Sequence, residues 1–150
     1  MAIGHDAREA TMQGVTSDGK RVRRPLSPHL QSYDMFQLTS LLSISNRATG
    51  VAWTIGLALM VWWLAALAAG PGPFATAASW AGSWLGLLVL FGMTAAAWYH
   101  TLAGVRHLMW DAGYGYDIPT TYRTGWITVF ATAAFTVLTW VVAIWAWAGR

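Results

Sequence analysis

The chain has 150 residues, 56% of them hydrophobic and only 10% charged, with 11 tryptophans and a formal net charge of +3. That balance excludes an ordinary soluble domain, and the lack of cysteine excludes a disulfide framework, a thiolate nucleophile, a Cys zinc site and any iron-sulfur cluster held by this chain. Arg21, Arg23 and Arg24 sit just before a hydrophobic region, so their charge reads as topology-setting and not as a nucleic-acid patch.

Residues 1 to about 24 are polar, include Asp6, Glu9 and Asp18, and lack the apolar stretch of a secretory signal. They read as a poorly ordered tail on a mature bacterial-type chain, because those acids also argue against a transit peptide. No Asp, Glu, Lys or Arg occurs from Ala48 to Val105, and a second uncharged run extends from Thr124 to Gly149. Each exceeds the roughly 20 helical residues that one bilayer crossing takes. Gly70-Pro71-Gly72-Pro73 interrupts the longer run, since prolines flanked by glycines cannot continue a helix in lipid. The sequence thus predicts an all-α membrane protein with spans at about 43–69, 77–110 and 124–147, the membrane domain covering residues 25–150.

Arg8, Lys20, Arg21, Arg23, Arg24 and Arg47 precede the first span, and Arg106 and Arg123 flank the second connection, whereas the Gly/Pro connection carries no charge. The positive-inside rule therefore puts the N-terminus and the 106–123 loop in the cytoplasm, with Arg150 outside. Trp62, Trp63, Trp80, Trp84, Trp145 and Trp147 fall at the outer ends, and Trp110 and Trp126 at the inner ones. They read as interfacial belts, without a role in chemistry.

His100 lies well inside the second span, and an ionisable residue at such depth is by default a functional hypothesis. Taking Arg106 as the inner boundary, His100 is roughly 9 Å deeper. His107 returns to within about 20° of His100, with Gly104 about 40° away, so the three share one face. This groove would let a flat macrocycle approach the backbone, with iron at His100 and the propionate edge near His107. Spacing alone fits equally well a histidine that hydrogen-bonds a neighbouring helix, with Gly104 merely allowing close packing. His5 and His29 precede the first span, so a second axial histidine would have to come from another polypeptide or a symmetry mate.

At the start of the first span, Ser43-Ile44-Ser45-Asn46-Arg47-Ala48-Thr49-Gly50 places Ser43 and Arg47 four apart on one face. A hydroxyl beside a fixed cation suits a quinone carbonyl that becomes negative on reduction. The alternative is a helix cap at Ser43 with a snorkelling Arg47.

At these residues the chain resembles the cytochrome b membrane anchor, or C-type subunit, of succinate dehydrogenase. The resemblance rests on Arg24-Pro25-Leu26-Ser27-Pro28-His29-Leu30, on the Ser43–Gly50 segment, on His100 through Gly104-Val105-Arg106-His107-Leu108-Met109-Trp110-Asp111 to Gly113, and more weakly on Ile118-Pro119 to Tyr122. It implies haem b with His100 as one axial ligand, and a three-helix bundle completed by a small D-type anchor subunit that supplies the other ligand. It implies a quinone site, for ubiquinone or menaquinone, that uses Ser43 and Arg47, with Ile44 as an apolar wall and Asp111 near enough to assist proton uptake. His107 and Arg47 become candidates for the haem propionates, and Asp111 also reads as an ordinary interfacial carboxylate. Where the family usually has histidine, this chain has Asn46, which can donate a hydrogen bond but cannot carry a proton's charge.

The resemblance further implies a flavoprotein subunit with FAD and an iron-sulfur subunit, the latter lying over Ser27-Pro28-His29. Together with this multi-pass chain in a bacterial inner membrane they would form a succinate:quinone oxidoreductase, in which this chain has no part in succinate oxidation itself. The nearest rival is a fumarate reductase anchor. A rival of another class is a haemless membrane scaffold or small transporter with His100 as a packing or proton-relay residue.

Overall fold

A computed structural model describes residues 13–23 and 36–149. The chain divides into two units, Met1–Phe36 and Gln37–Arg150. His5, the Arg24–Leu30 motif with His29, and Arg150 lie outside the described residues.

In the first unit, β1 (Gln13–Val15) pairs antiparallel with β2 (Arg21–Arg23), Gln13 opposite Arg23 and Val15 opposite Arg21. The Gly19 N–H donates to the Thr16 carbonyl at 2.9 Å, and the Thr16 N–H to the Lys20 carbonyl at 2.9 Å. Gly19 turns the chain at φ +76°, a left-handed conformation that glycine takes without a Cβ clash. This part of the expected unstructured tail is therefore a hairpin, and Asp18-Gly19 is the turn signal that marks it.

The second unit is all helical, with α1 (Leu38–Ala68), α2 (Pro71–Ala81), α3 (Trp84–Asp111) and α4 (Ile118–Ala148). α1, α3 and α4 are each long and apolar enough to cross a membrane. α1 begins before the expected start and has Gln37 at its N-cap position, so Ser43 lies inside the helix and does not cap it. Gly70, at φ +114°, ends α1, and Pro71 then opens α2. A proline at the first helical position gives up an N–H that has no intrahelical acceptor anyway.

The second expected span, drawn from Ala77, is in fact two helices. α2 closes at Gly82, and the Ser83 hydroxyl caps α3 by accepting from the Gly86 N–H at 3.0 Å. With 11 residues, α2 is too short to cross, so the crossing belongs to α3 alone. α3 ends in a glycine motif. The Tyr114 N–H reaches the Met109 carbonyl at 2.9 Å, the Gly113 N–H reaches the Trp110 carbonyl at 2.8 Å, and Gly113 has φ +87°. Asp117 then caps α4 by accepting from the Thr120 N–H at 3.0 Å.

α3 packs against both α1 and α4. The buried core is small, built on Leu42, Tyr99 and Ala103 with Leu38 and Val129 against them. Gly125 of α4 lets α1 come close, since a Cβ there would lie 2.6 Å from Leu42 Cδ1. Such small residues are what permit tight helix contacts in lipid, where apolar side chains gain nothing by leaving the solvent. Large side chains along α1, α3 and α4, among them Val51, Val105 and Phe130, point outward, as expected of faces that meet lipid or other helices.

Candidate functional site

Leu42, Asn46 and Gly50 recur every four residues along α1 and meet one short stretch of α3. The Tyr99 hydroxyl donates to the Leu42 carbonyl at 3.0 Å. His100 Nδ1 lies 3.1 Å from the Asn46 carbonyl oxygen. A carbonyl can only accept, so Nδ1 carries the hydrogen and Nε2 keeps its lone pair. The ring rests on the backbone of α1, where a Cβ added at Gly50 would lie 3.0 Å from His100 Cε1 and 3.4 Å from Nδ1. The sequence-based view of His100 in a helix contact and its view as a metal ligand thus meet in one geometry: one nitrogen is tied to α1 and the other is free.

The Asn46 carbonyl is shared, because the Thr49 hydroxyl reaches it at 3.1 Å as well as the Ser45 carbonyl at 2.7 Å. The Asn46 side-chain oxygen is the one buried polar side-chain atom among the described residues without a hydrogen-bond partner. Buried acceptors are seldom left so, and an unpaired one invites a donor from outside the chain.

α3 runs unbroken through His100, Gly104 and His107, so the shared face expected from their spacing is formed. A Cβ added at Gly104 would meet nothing within 4 Å, which leaves that face open in this chain. His107 Nδ1 is 2.7 Å from the Ala103 carbonyl of its own helix, so its Nε2 is free too, and its ring stands edge-on to Trp110 at 5.1 Å. No three or more His, Asp or Glu side chains converge among the described residues, so no closed metal site made only of this chain's ligands forms there. The free Nε2 of His100 and the bare Gly104 on the same helix face do fit one side of a haem.

Arg106, read from the sequence as the marker of the inner boundary, lies against α4. It is only 8% exposed and points into α4, its Nε–H donating to the Thr124 hydroxyl at 3.1 Å and its Nη2–H to the Thr121 carbonyl at 2.9 Å. The guanidinium also lies 4.2 Å from the centre of the Trp110 ring. Trp110 in turn donates to the Gly115 carbonyl at 3.1 Å and stacks on Tyr116, so it fastens the α3–α4 turn in addition to any anchoring in the interface.

Ser43, Ile44 and Arg47 are all exposed on α1, Ser43 and Arg47 one position round from the stripe that holds α3 and Ile44 two. Ser43 and Arg47 make no hydrogen bond or ion pair among the described residues, leaving a hydroxyl and a cation available to something outside the chain. Asp111 closes α3, exposed and without an ion pair among the described residues. Asp117, in the turn, has its carboxyl held below the ordinary carboxylate range by hydrogen bonds from the Thr120 hydroxyl and then its backbone N–H. Sequence reasoning missed Gly50, Thr49 and Tyr99. Only Gly50 left a signal, a glycine in a helix that needs none for a turn.

Residues 20–139 match the family described as succinate dehydrogenase/fumarate reductase transmembrane subunit. The chain is 44% identical over 126 residues to the succinate dehydrogenase cytochrome b556 subunit of Paracoccus denitrificans, covering 84% of this chain and 96% of that one. This chain belongs to that transmembrane-subunit family. A Rickettsia felis subunit of the same name is 37% identical over 79% of this chain and 92% of its own. The mitochondrial cytochrome b560 subunit of Bos taurus is 35% identical over 82% of this chain and 73% of its own. The region matching the transmembrane-subunit family contains His100, its α1 partners, Ser43, Arg47 and Asp111.

Proposed function

We propose that this chain is the haem b- and quinone-binding membrane anchor of a succinate dehydrogenase, with His100 Nε2 as one axial ligand. The observation that carries the reading is the hydrogen bond from His100 Nδ1 to the Asn46 carbonyl, which fixes the tautomer and ring plane that an axial histidine needs. The cytochrome names of the relatives agree with it. When bound, haem supplies a one-electron store beside the quinone. A small D-type anchor subunit provides the second axial ligand, and His107 and Arg47 are the groups offered to the propionates.

Quinone, ubiquinone or menaquinone, binds where Ser43, Ile44 and Arg47 lie exposed on α1. Ser43 orients one carbonyl by donating its hydroxyl hydrogen, Arg47 stabilises the oxygen as it gains charge, and Ile44 closes the pocket with apolar surface. Asp111 stands at the end of α3 as a relay for protons to the reduced quinone. Electrons arrive from an iron-sulfur subunit, which receives them from an FAD-containing flavoprotein; this cysteine-free chain houses neither cluster nor flavin. With the arginine-rich segment on the cytoplasmic side of a bacterial inner membrane, all these residues lie towards the cytoplasm. The names of these relatives favour succinate oxidation over the reverse reaction, and assaying ubiquinone against menaquinone tests the direction.

The test is His100→Ala in the purified complex. Loss of the haem b bands from the reduced-minus-oxidised spectrum, with flavoprotein retained, is the expected result. An unchanged spectrum removes the ligand assignment.

A further inference from the structure

Three features within little more than one turn of α1 hold the Nδ1 side of His100. The Asn46 carbonyl accepts its Nδ1–H, the Thr49 hydroxyl competes for the same carbonyl, and Gly50 provides the bare backbone on which the ring lies. The oxygen is a main-chain atom, so no side-chain substitution removes it. Its availability to the imidazole is adjustable in two ways, through the neighbour that shares it and the space that admits the ring.

We propose that Thr49 and Gly50 are positioning residues that set the donor strength of His100, an inference resting on its assignment as an axial ligand. A stronger Nδ1–H···O bond makes the imidazole more anionic, which favours ferric over ferrous iron and lowers the potential. The Thr49 hydroxyl divides its one hydrogen between the Ser45 carbonyl at 2.7 Å and the Asn46 carbonyl at 3.1 Å, and this longer limb draws on the Asn46 lone pairs and so weakens the bond to His100. Gly50 keeps the bond short, because any Cβ there would press on Cε1 and Nδ1 at a separation that makes the ring give by a few tenths of an ångström. Thr49 and Gly50 therefore act on the haem in opposite senses.

The experiment is a redox titration of the haem b absorbance in purified complexes carrying Thr49→Val or Gly50→Ala, with haem content measured per flavin. Thr49→Val keeps the shape of the side chain and frees the carbonyl, so the midpoint potential shifts down. Gly50→Ala lengthens the bond, so the midpoint shifts up, with the Soret and α bands displaced. A loosened helix pair would admit water and move both variants the same way. Shifts of one sign in both, or no shift in either, overturn the proposal. If Gly50→Ala binds no haem, Thr49→Val decides alone: a downward shift supports the proposal, and any other result overturns it. A wild-type complex without haem would instead defeat the ligand assignment itself, so the two failures are distinguishable.

Discussion

The two ends of the helical unit are held together by different physics. From Tyr99 to Arg106, in the half of α3 nearer its C-terminus, α3 is tied to its neighbours by polar groups: Tyr99 to the Leu42 carbonyl, His100 to the Asn46 carbonyl, and Arg106 to Thr124 and Thr121. Near the α1–α2 connection the contacts are aromatic, Trp62 edge-on to Trp80 and Trp63 edge-on to Phe74, around an apolar cavity of about 600 Å³ lined by no ionisable residue. In lipid, hydrogen bonds fix a helix's rotation and depth, while apolar packing leaves both adjustable. Apart from the Trp98 Nε1–H, which donates to the Thr139 hydroxyl at 3.0 Å beside that cavity, the hydrogen bonds between helices among the described residues lie where a ring must be aimed.

That contrast can be broken most directly at His100. Replacing it with alanine is expected to abolish haem b binding altogether, read from the optical difference spectrum, whereas no substitution lining the aromatic cavity should do so. Next in size is Arg47→Ala, expected to lower quinone reductase activity on the order of 100-fold by removing the charge opposite the developing oxyanion. Succinate oxidation with a soluble artificial acceptor should survive, and equal loss of both activities would point to failed assembly.

Arg106→Met tests the structural tie. Two interhelical hydrogen bonds at roughly 0.6 kcal/mol each amount to about 1 kcal/mol, a drop of a few degrees in the thermal midpoint of the detergent-solubilised complex. Smaller still is Gly56→Ala at the aromatic end. A Cβ there meets only the flexible end of Met93, beside a cavity with room for it, so haem spectrum and stability should both stay near wild type. Gly50 and Gly56 lie on the same helix, yet one faces a ring held by a hydrogen bond and the other a thioether that can swing away.

Asp117→Ala is expected to have the least effect. The native carboxyl is held below its ordinary range, so its cap contributes fully above the pKa of the unfolded chain and loses that contribution as pH falls through the lower folded value. Variant and parent should differ slightly in melting temperature at neutral pH and converge in acid.

Much of this was legible in the sequence, because long uncharged runs, Gly70-Pro71 and a histidine deep in an apolar helix are all compositional signals. The position of Ser43 and Arg47 on one face followed from four-residue spacing, and the roles expected of them from the resemblance, whereas their exposure did not. What stayed hidden had no residue signature. The acceptors for Tyr99 and His100 are backbone carbonyls, which every residue carries, and only the packing of α1 on α3 selects Leu42 and Asn46. The break at Gly82-Ser83 was obscured because hydrophobicity continues across it, and the partners of Arg106 stayed hidden because Thr121 and Thr124 become its acceptors only once α3 packs on α4. The hairpin at residues 13–23 was missed because its strands are short and polar.

α4 carries threonines at 124, 128, 132 and 136, and each hydroxyl donates to the carbonyl four residues back, at 2.7 to 3.0 Å. No hydroxyl among these needs a second helix to satisfy its hydrogen, so α4 can enter the bilayer as a lone rod at little polar cost. α3, with an arginine and a histidine that find their oxygens on α4 and α1, has no such independence. The more polar rod is therefore completed only by its neighbours, since its Tyr99, His100 and Arg106 hydrogen bonds end on α1 and α4.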